Sequence, residues 1–404
     1  MNAPSPSPAT FRRGACPGLS SPMETGDGLL ARLTPSGSTI ALDAFAGLCA
    51  AARRHGNGIV EITSRGSIQI RGLSVESAPL LAADVAELRI EGSDSIPVLT
   101  DPLKSDALAS QLRAALSGTD LAAQLSAKVS VVVDLDGFAA DIVLRTVDRS
   151  RLHVALGGDA ATATPLGAVP LGRGADCVLR LFGLLAALAP RSRMRDAVAR
   201  GGLAAFRTEV EDLLIDAAAP APRPPFDPIG IHRHASGNIL GVGLPFGHSD
   251  TERLLGLIET ARRSGASGVR TSPGRALLLI GLPSETMPAL VAEAATFGFI
   301  IDPGDPRRRV VACAGAPICA SGEIAARAIA PAIADAARSL PAGDIIHLSG
   351  CAKGCAHPAP APFVVFGRDG RCDVFVDGEF SCTLTADALP RMIAGSARLR
   401  GRRR

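Results

Sequence analysis

The chain has 404 residues, 47% hydrophobic and 20% charged, with a formal net charge of +3. That length exceeds one ordinary core and predicts two to four domains, and a charge so close to balance gives no reason to expect nucleic acid as the main partner. Trp and Tyr are absent, which excludes a tyrosyl radical or a phenolic acid from any mechanism.

In chain order, Met1-Asn2-Ala3-Pro4-Ser5-Pro6 lacks the basic and apolar regions of a signal peptide. No apolar run reaches the roughly 18 residues of a membrane span. The longest, Leu179 to Leu188, is interrupted by Arg180 and reads as a buried helix. The expectation is a soluble, cytoplasmic protein. Gly28 to Pro35 reads as a strand entering a turn, followed by a helix ending at Gly56 and a strand, turn, strand over 58–73. The pattern returns at Asn238 to Pro245, with a helix ending at Gly265 and a strand, turn, strand over 268–282. A period of about two hundred residues is too long for a solenoid and implies a duplicated module. Two β-α-β-β units pairing about a pseudo-twofold axis would bury the faces that neither can bury alone.

Between the half-modules, strands are expected at Val129 to Asp134 and Ala140 to Leu144 with a hairpin turn at Asp136-Gly137, then helices at 176–190 and 204–217. The Pro-rich run 217–225 reads as a stiff, extended linker. Beyond the second half-module come a helix over Glu323 to Ser339 and strands at 344–349, 363–367 and 371–376. The organisation expected is α+β (α/β): a half-domain over 11–83, a middle α/β domain over 84–216, a linker over 217–228, a second half-domain over 229–301 and a last domain over 302–390. Tails at 1–10 and 397–404 are expected to be disordered, the latter being a basic run without the interleaved aromatics of a nucleic-acid site.

Of nine cysteines, four form a C-x5-C and a C-x3-C pair, Cys313 and Cys319, then Cys351 and Cys355. Small neighbours such as Gly315, Gly350 and Gly354 let a backbone pass close to an inorganic core. The spacing points to a four-thiolate 4Fe-4S cluster. Zinc and disulfides are the competing readings, but structural zinc prefers C-x2-C knuckles and a chain without a leader is not expected to hold disulfides. Cys16, Cys49, Cys177, Cys372 and Cys382 are scattered singly and read as small core residues. Gly241 to Gly247 has the wrong spacing for a dinucleotide fingerprint, so no nicotinamide site is expected within the chain and any nicotinamide electrons would enter through a separate donor protein.

With these motifs on the page, nearly the whole chain resembles the nitrite and sulfite reductase superfamily, with two ferredoxin-like half-domains alternating with two larger domains and a C-x5-C…C-x3-C site. The flanks Arg12 to Gly18, Pro22 to Gly28, Ala312 to Pro317 and Ser349 to Pro358 are most similar to its branch that acts on a precorrin in aerobic cobalamin biosynthesis. That resemblance implies an O2-dependent monooxygenase hydroxylating precorrin-3A at C20 and closing a γ-lactone. It implies the 4Fe-4S cluster, a mononuclear non-haem iron, and NADH as the ultimate electron source.

The resemblance also implies that Arg32 and Arg65 stand where the reductases bind anions, and that Lys128 matches the first member of their Lys-x-Lys pair. Ser130 replaces the second. Planar guanidiniums suit the carboxylate arms of a tetrapyrrole, and of 42 basic residues only Lys104, Lys128 and Lys353 are lysines. Arg12, Arg13, Arg71 and Arg270 are weaker substrate candidates, and Lys353 is a candidate for tuning the cluster. His153, His232, His234, His347 and His357 do not by themselves identify iron ligands. The alternatives are a sirohaem-dependent nitrite or sulfite reductase and a non-catalytic iron–sulfur electron-transfer protein.

Overall fold

The computed structural model describes residues 17–400, apart from residues 38, 93–94, 105–106, 222, 235–236, 342 and 357–360. Arg12, Arg13, Cys16 and His357 lie outside the described residues. Four sheets organise the chain. In the first, Met23–Thr25, Gly28–Leu33, Ile68–Leu73 and Ile59–Ile62 pair antiparallel in that order. In the second, Gly230–His232, Asn238–Gly243, Ala276–Leu282 and Gly268–Ser272 repeat the same order.

The two halves are joined by an exchange. His248–Asp250, from the second half, pairs antiparallel with Ile59–Ile62 of the first. Reciprocally, Ile40 of the first half exchanges both backbone hydrogen bonds with Val269 of the second, at 2.8 and 2.9 Å. Each helix that follows carries its apolar residues at helical spacing: Leu42–His55 buries Leu42, Phe45, Leu48, Cys49 and Ala52, and Thr251–Arg263 buries Leu254, Leu257, Ile258 and Ala261. The helices pack on one another, and residues of both halves form one continuous core. Asp250 caps the second helix by accepting from the Arg253 N–H at 2.9 Å. Asp250→Ala is expected to cost about 1 kcal/mol, read from urea unfolding.

The duplication runs further than the sequence pattern shows. The middle sheet orders Val98–Thr100, Val131–Val133, Ala140–Thr146, Arg151–Gly158 and Thr164–Pro170, with two parallel pairings followed by two antiparallel ones. The last sheet repeats that scheme with Val310–Ala312, Ile346–Ser349, Phe363–Arg368, Arg371–Val376 and Glu379–Leu384. Each sheet has a helix between its first two strands, Ala107–Ser117 and Ala326–Ala337, and another after its last, Gly174–Leu188 and Leu389–Arg400. The two cysteine-bearing loops therefore occupy the same topological places as 101–106 and 134–139.

Three local expectations are corrected. Asp136-Gly137 does not close a hairpin, because Val131–Val133 and Ala140–Thr146 run parallel. Asp134 adopts φ 48° and donates its N–H to the Leu144 carbonyl, so the chain doubles back before the second strand begins. The helix expected over 204–217 ends at Glu209, and Ile215 instead bridges to Ala168 on the sheet edge. The last helix continues to Arg400, into the stretch read as a tail, because Ala, Leu and Arg are good helix formers, while residues 401–404 lie outside the described residues.

The Pro-rich segment is strapped to the middle domain. Buried Arg145 donates to the carbonyls of Pro220 and Ala221 and pairs with Asp136, which also accepts from the Arg223 N–H. Phe226 then packs on the outer face of the middle sheet.

Candidate functional site

The last domain presents its cysteines on two loops that meet at glycines. Gly315 has φ +67°, and an ideal Cβ there would stand 2.4 Å from the Ala326 nitrogen. A Cβ on Gly350 would stand 2.7 Å from the Gly315 Cα. The Gly350 N–H donates to Cys313 Sγ at 3.0 Å, and the Cys319 N–H bonds the Gly315 carbonyl at 2.7 Å. Lys353 ties the loops together by donating to Ser321 Oγ at 2.8 Å.

Burial raises the Cys355 thiol above its ordinary range. Cys351, Cys313 and Cys319 push it further the same way, and the Lys128 ammonium pulls it back. All four thiols and Lys128 thus share one electrostatic neighbourhood, in which four thiolates need a cationic core to coexist. All four are free of disulfides. Among the described residues no three His, Cys, Asp or Glu side chains close around a single ion. The thiolates of a cubane stand further apart than ligands to one ion, so the donor chemistry and the glycine cradle fit a cluster. Cys49, Cys177 and Cys372 are fully buried and Cys382 packs partly buried against the last core. Burial pushes the Cys49 and Cys177 thiols to about 12, leaving them inert.

Arg65 sits in the turn between Ile59–Ile62 and Ile68–Leu73 and donates to the Lys128 carbonyl at 3.1 Å. It also lines a cleft of about 620 Å³ between both half-modules and the middle domain, with Lys104, Arg113, Arg270 and His234 on its walls. Arg270 reaches the Pro102 carbonyl and Thr39 Oγ1, and burial lowers its guanidinium. Ser130 is fully buried and its N–H donates to Asp141 at 3.0 Å, so the second position of the Lys-x-Lys pattern faces the core.

Arg32 lies on a different face. It begins a cross-strand row, Arg32, Gln69, Glu61 and His248, each directly opposite the next. With its amide turned to satisfy both neighbours, the Gln69 oxygen accepts from Arg32 at 2.7 Å and its nitrogen donates to Glu61 at 2.9 Å. Arg327, in the first turn of Ala326–Ala337, pairs with Glu61 at 2.7 Å. Arg71 lies 3.8 Å from Glu61, chelates Asp27 at 2.9 and 3.1 Å, and donates to the Ile318 carbonyl beside Cys319. The structure therefore brings the Lys128 ammonium into the cysteines' neighbourhood, with Arg65 bonded to the Lys128 carbonyl, and sets Arg32 and Arg71 in a charged seam between the first sheet and the last domain.

Sequence reading missed Gln69, Glu61, His248 and Arg327. Of the remaining histidines, His347 contacts Ser349 Oγ, His232 contacts the Pro228 carbonyl, and His153 is buried with its imidazole lowered first by burial and then by Arg145.

Burial alone would raise Asp27, but the Arg71 and Thr25 hydrogen bonds outweigh it and hold the carboxyl below 3.8. A lowered folded value gives stability that is complete above 3.8 and lost as pH falls through the folded value. Thermal midpoints measured from pH 5 to pH 2 are expected to fall less steeply for Asp27→Asn than for wild type.

The family model "Nitrite/Sulfite reductase ferredoxin-like half domain" matches residues 21–88. Over 92% of its length and 84% of the relative's, the chain is 34% identical to a precorrin-3B synthase from Sinorhizobium sp. It is 30% identical to a ferredoxin sulfite reductase from Mycolicibacterium paratuberculosis over 42% of this chain and 33% of that one. A ferredoxin–nitrite reductase from Synechococcus elongatus is 30% identical over 38% of this chain and 32% of its own. The solved Mycobacterium tuberculosis NirA protein shares the fold, with a TM-score of 0.76 at 19% identity over 92% of this chain and 80% of that one. Paired half-modules, alternating with two like-wound domains of which one bears four cysteines, define a protein of the nitrite and sulfite reductase type. Within that class, the chain belongs to the precorrin-3B synthase family. Among the described residues, no helix is long and apolar enough to cross a membrane.

Proposed function

We propose that the chain acts as a precorrin-3B synthase, an oxidoreductase of cobalamin biosynthesis that uses O2 to hydroxylate precorrin-3A at C20 and closes the γ-lactone from its ring A acetate. The observation that carries this reading is the convergence of Cys355 with three further thiols and Lys128, in a chain 34% identical to such a synthase along most of its length. Held at Cys313, Cys319, Cys351 and Cys355, a 4Fe-4S cluster would supply single electrons, drawn from NADH through a separate donor protein. For the mononuclear iron of this family the fit is poor, since the described residues bring no three suitable ligands together.

The chain's own side chains then bind and orient. Arg65 borders both the cleft and Lys128, so a carboxylate arm on its guanidinium would be held in the cleft next to the Lys128 backbone. Lys128 is exposed, and its positive charge acts on the Cys355 thiol. Arg32 would take an arm on the seam side. A sirohaem reductase is less well served, because Ser130 offers no cation toward the site.

Arg65→Ala is expected to remove a charge-assisted hydrogen bond of about 1.5–3 kcal/mol, raising KM for precorrin-3A roughly 10- to 100-fold with a smaller change in kcat. The reading itself is tested by anaerobic purification with iron and sulfide analysis and a visible spectrum, followed by incubation with precorrin-3A under 18O2. A cluster spectrum without haem bands and one labelled oxygen in the product are expected. Sirohaem bands, or no conversion by the fully iron-loaded and reduced protein, would overturn it.

A further inference from the structure

The turn over 273–275 is the duplicate of the Arg65 turn, and the two meet at the pseudo-twofold axis. The Gly274 N–H donates to the Ser64 carbonyl at 3.0 Å, and a Cβ on Gly66 would touch the Ser272 backbone at 3.0 Å. Arg65 leaves this contact toward Lys128 and the cleft. Arg275 leaves it in the other direction, into the seam between the half-modules and the last domain.

The chain is shaped to admit it. Arg275 itself sits at φ +63°, and Phe246 beside it at +56°, both conformations that a non-glycine residue adopts only under constraint. Gly247 has φ +84°, and a Cβ there would lie 2.7 Å from Arg275 Cδ. Backbone strain is thus concentrated where the guanidinium enters.

The charges around it do not balance. Arg71 and Arg327 are matched by Asp27 and Glu61. The Arg275 carbonyl accepts from the Leu244 N–H, but its guanidinium has no hydrogen bond or ion pair among the described residues, and its charged neighbours are Arg327 and Glu61. Two further buried atoms of the same cluster lack partners, His248 Nδ1 and Arg327 Nε. His248 lies directly opposite Glu61, and burial followed by the nearby Arg327 lowers its imidazole to about 4, so the ring is neutral near pH 7. Arg327 opens a helix of 12 residues whose N-cap, Ala325, supplies no capping side chain. A leftover guanidinium, an unpaired guanidinium N–H and an unpaired imidazole nitrogen at a helix N-terminus favour an anion with oxygen or halide acceptors.

We infer that Arg275, Arg327 and His248 form a second anion-binding site, the counterpart of the Arg65 site across the pseudo-twofold axis, which takes a single carboxylate or a small inorganic anion. The carboxylate could be an arm of the substrate or a free acid. The site itself does not depend on the proposed reaction.

The test uses the iron-loaded full chain crystallised in sodium bromide. An anomalous peak within contact distance of the Arg275 and Arg327 side chains is expected in wild type and absent in Arg275→Gln. In solution, bromide or acetate is expected to raise the thermal midpoint of wild type by mass action and to lose that specific increment in Arg275→Gln, with Arg275→Lys intermediate. No peak in wild type would overturn the proposal whether or not either variant folds, as would equal increments in wild type and Arg275→Gln. Crystals soaked with precorrin-3A then separate the sources: displacement of bromide by a carboxylate of the macrocycle identifies a substrate arm, and bromide persisting beside bound substrate identifies a free anion.

Discussion

Cys351→Ala, purified anaerobically, is expected to retain its fold and lose nearly all its iron, sulfide and precorrin-3A conversion. The loops around the thiols are held by the backbone independently of any metal. Cys313 N–H bonds the Leu348 carbonyl at 3.1 Å, Ala316 N–H bonds Ile324 at 2.9 Å, and Glu323 N–H bonds Gly350 at 2.7 Å. Beneath them the last sheet has its own core of Ile346, Leu348, Phe363, Val365 and Val374 packed on Ala330 and Ile333. Removing one thiol therefore takes away a ligand and leaves the platform. Metal binding to the native state alone is a stabilising term, so the variant's melting point should fall toward that of wild type stripped of iron. Gly350→Ala makes the complementary point. All four thiols remain, but the added methyl collides with the Gly315 backbone and displaces the N–H that bonds Cys313 Sγ. Cluster content is expected to fall there too. Cys49→Ala, deep in the core shared by the half-modules, should leave iron and sulfide unchanged. Iron retained in full by Cys351→Ala would remove the four-thiolate assignment.

The contrast between these cysteines shows what the sequence could reveal. Spacing and small neighbours singled out four cysteines that the structure places on two loops meeting at Gly315 and Gly350, since such a pattern is written locally in the chain. Arg65 and Lys128 could be picked out as candidates because each lies in a short motif, and the structure bonds the Arg65 guanidinium to the Lys128 carbonyl. The Asp136-Gly137 signal was real as a change of direction, but the flanking strands pair parallel rather than as a hairpin because Asp134, at φ 48°, already turns the chain back. The half-module repeat was visible because its strand ends and arginines recur. The matching winding of the middle and last domains was not, because topology has survived there without sequence: one domain places cysteines where the other places Asp101 to Lys104. The charged seam was least legible of all. Glu61 and Arg327 are 266 positions apart, and His248 reaches Glu61 only because a strand of one half is lent to the sheet of the other. No local pattern records such an exchange.

That seam carries the other large expected effect. Glu61→Gln should destabilise the protein by about 3–5 kcal/mol, measured by denaturant unfolding of the iron-loaded chain. Glu61 is 7% exposed and accepts from Arg327 at 2.7 Å, with Arg71 at 3.8 Å and the Gln69 amide at 2.9 Å. Neutralising it strips Arg327 of its carboxylate and Arg275 of its neighbouring negative charge, while Arg71 keeps Asp27. The cost comes from stranded buried cations more than from the lost attraction, because a pair this well buried has already given up its hydration. A double change separates the two. Replacing Glu61 and Arg327 together by Gln and Met removes the carboxylate with its closest cation, and should recover much of the loss. Because Glu61 and Arg327 bridge the first half-module and the last domain, the single change should also loosen the seat of Cys319, whose neighbour Ile318 accepts from Arg71 and from the Gly26 N–H. Faster loss of iron to a chelator is therefore expected in Glu61→Gln than in the double variant. Equal stability of wild type and Glu61→Gln would mean that the seam's cations are neutralised by something other than Glu61.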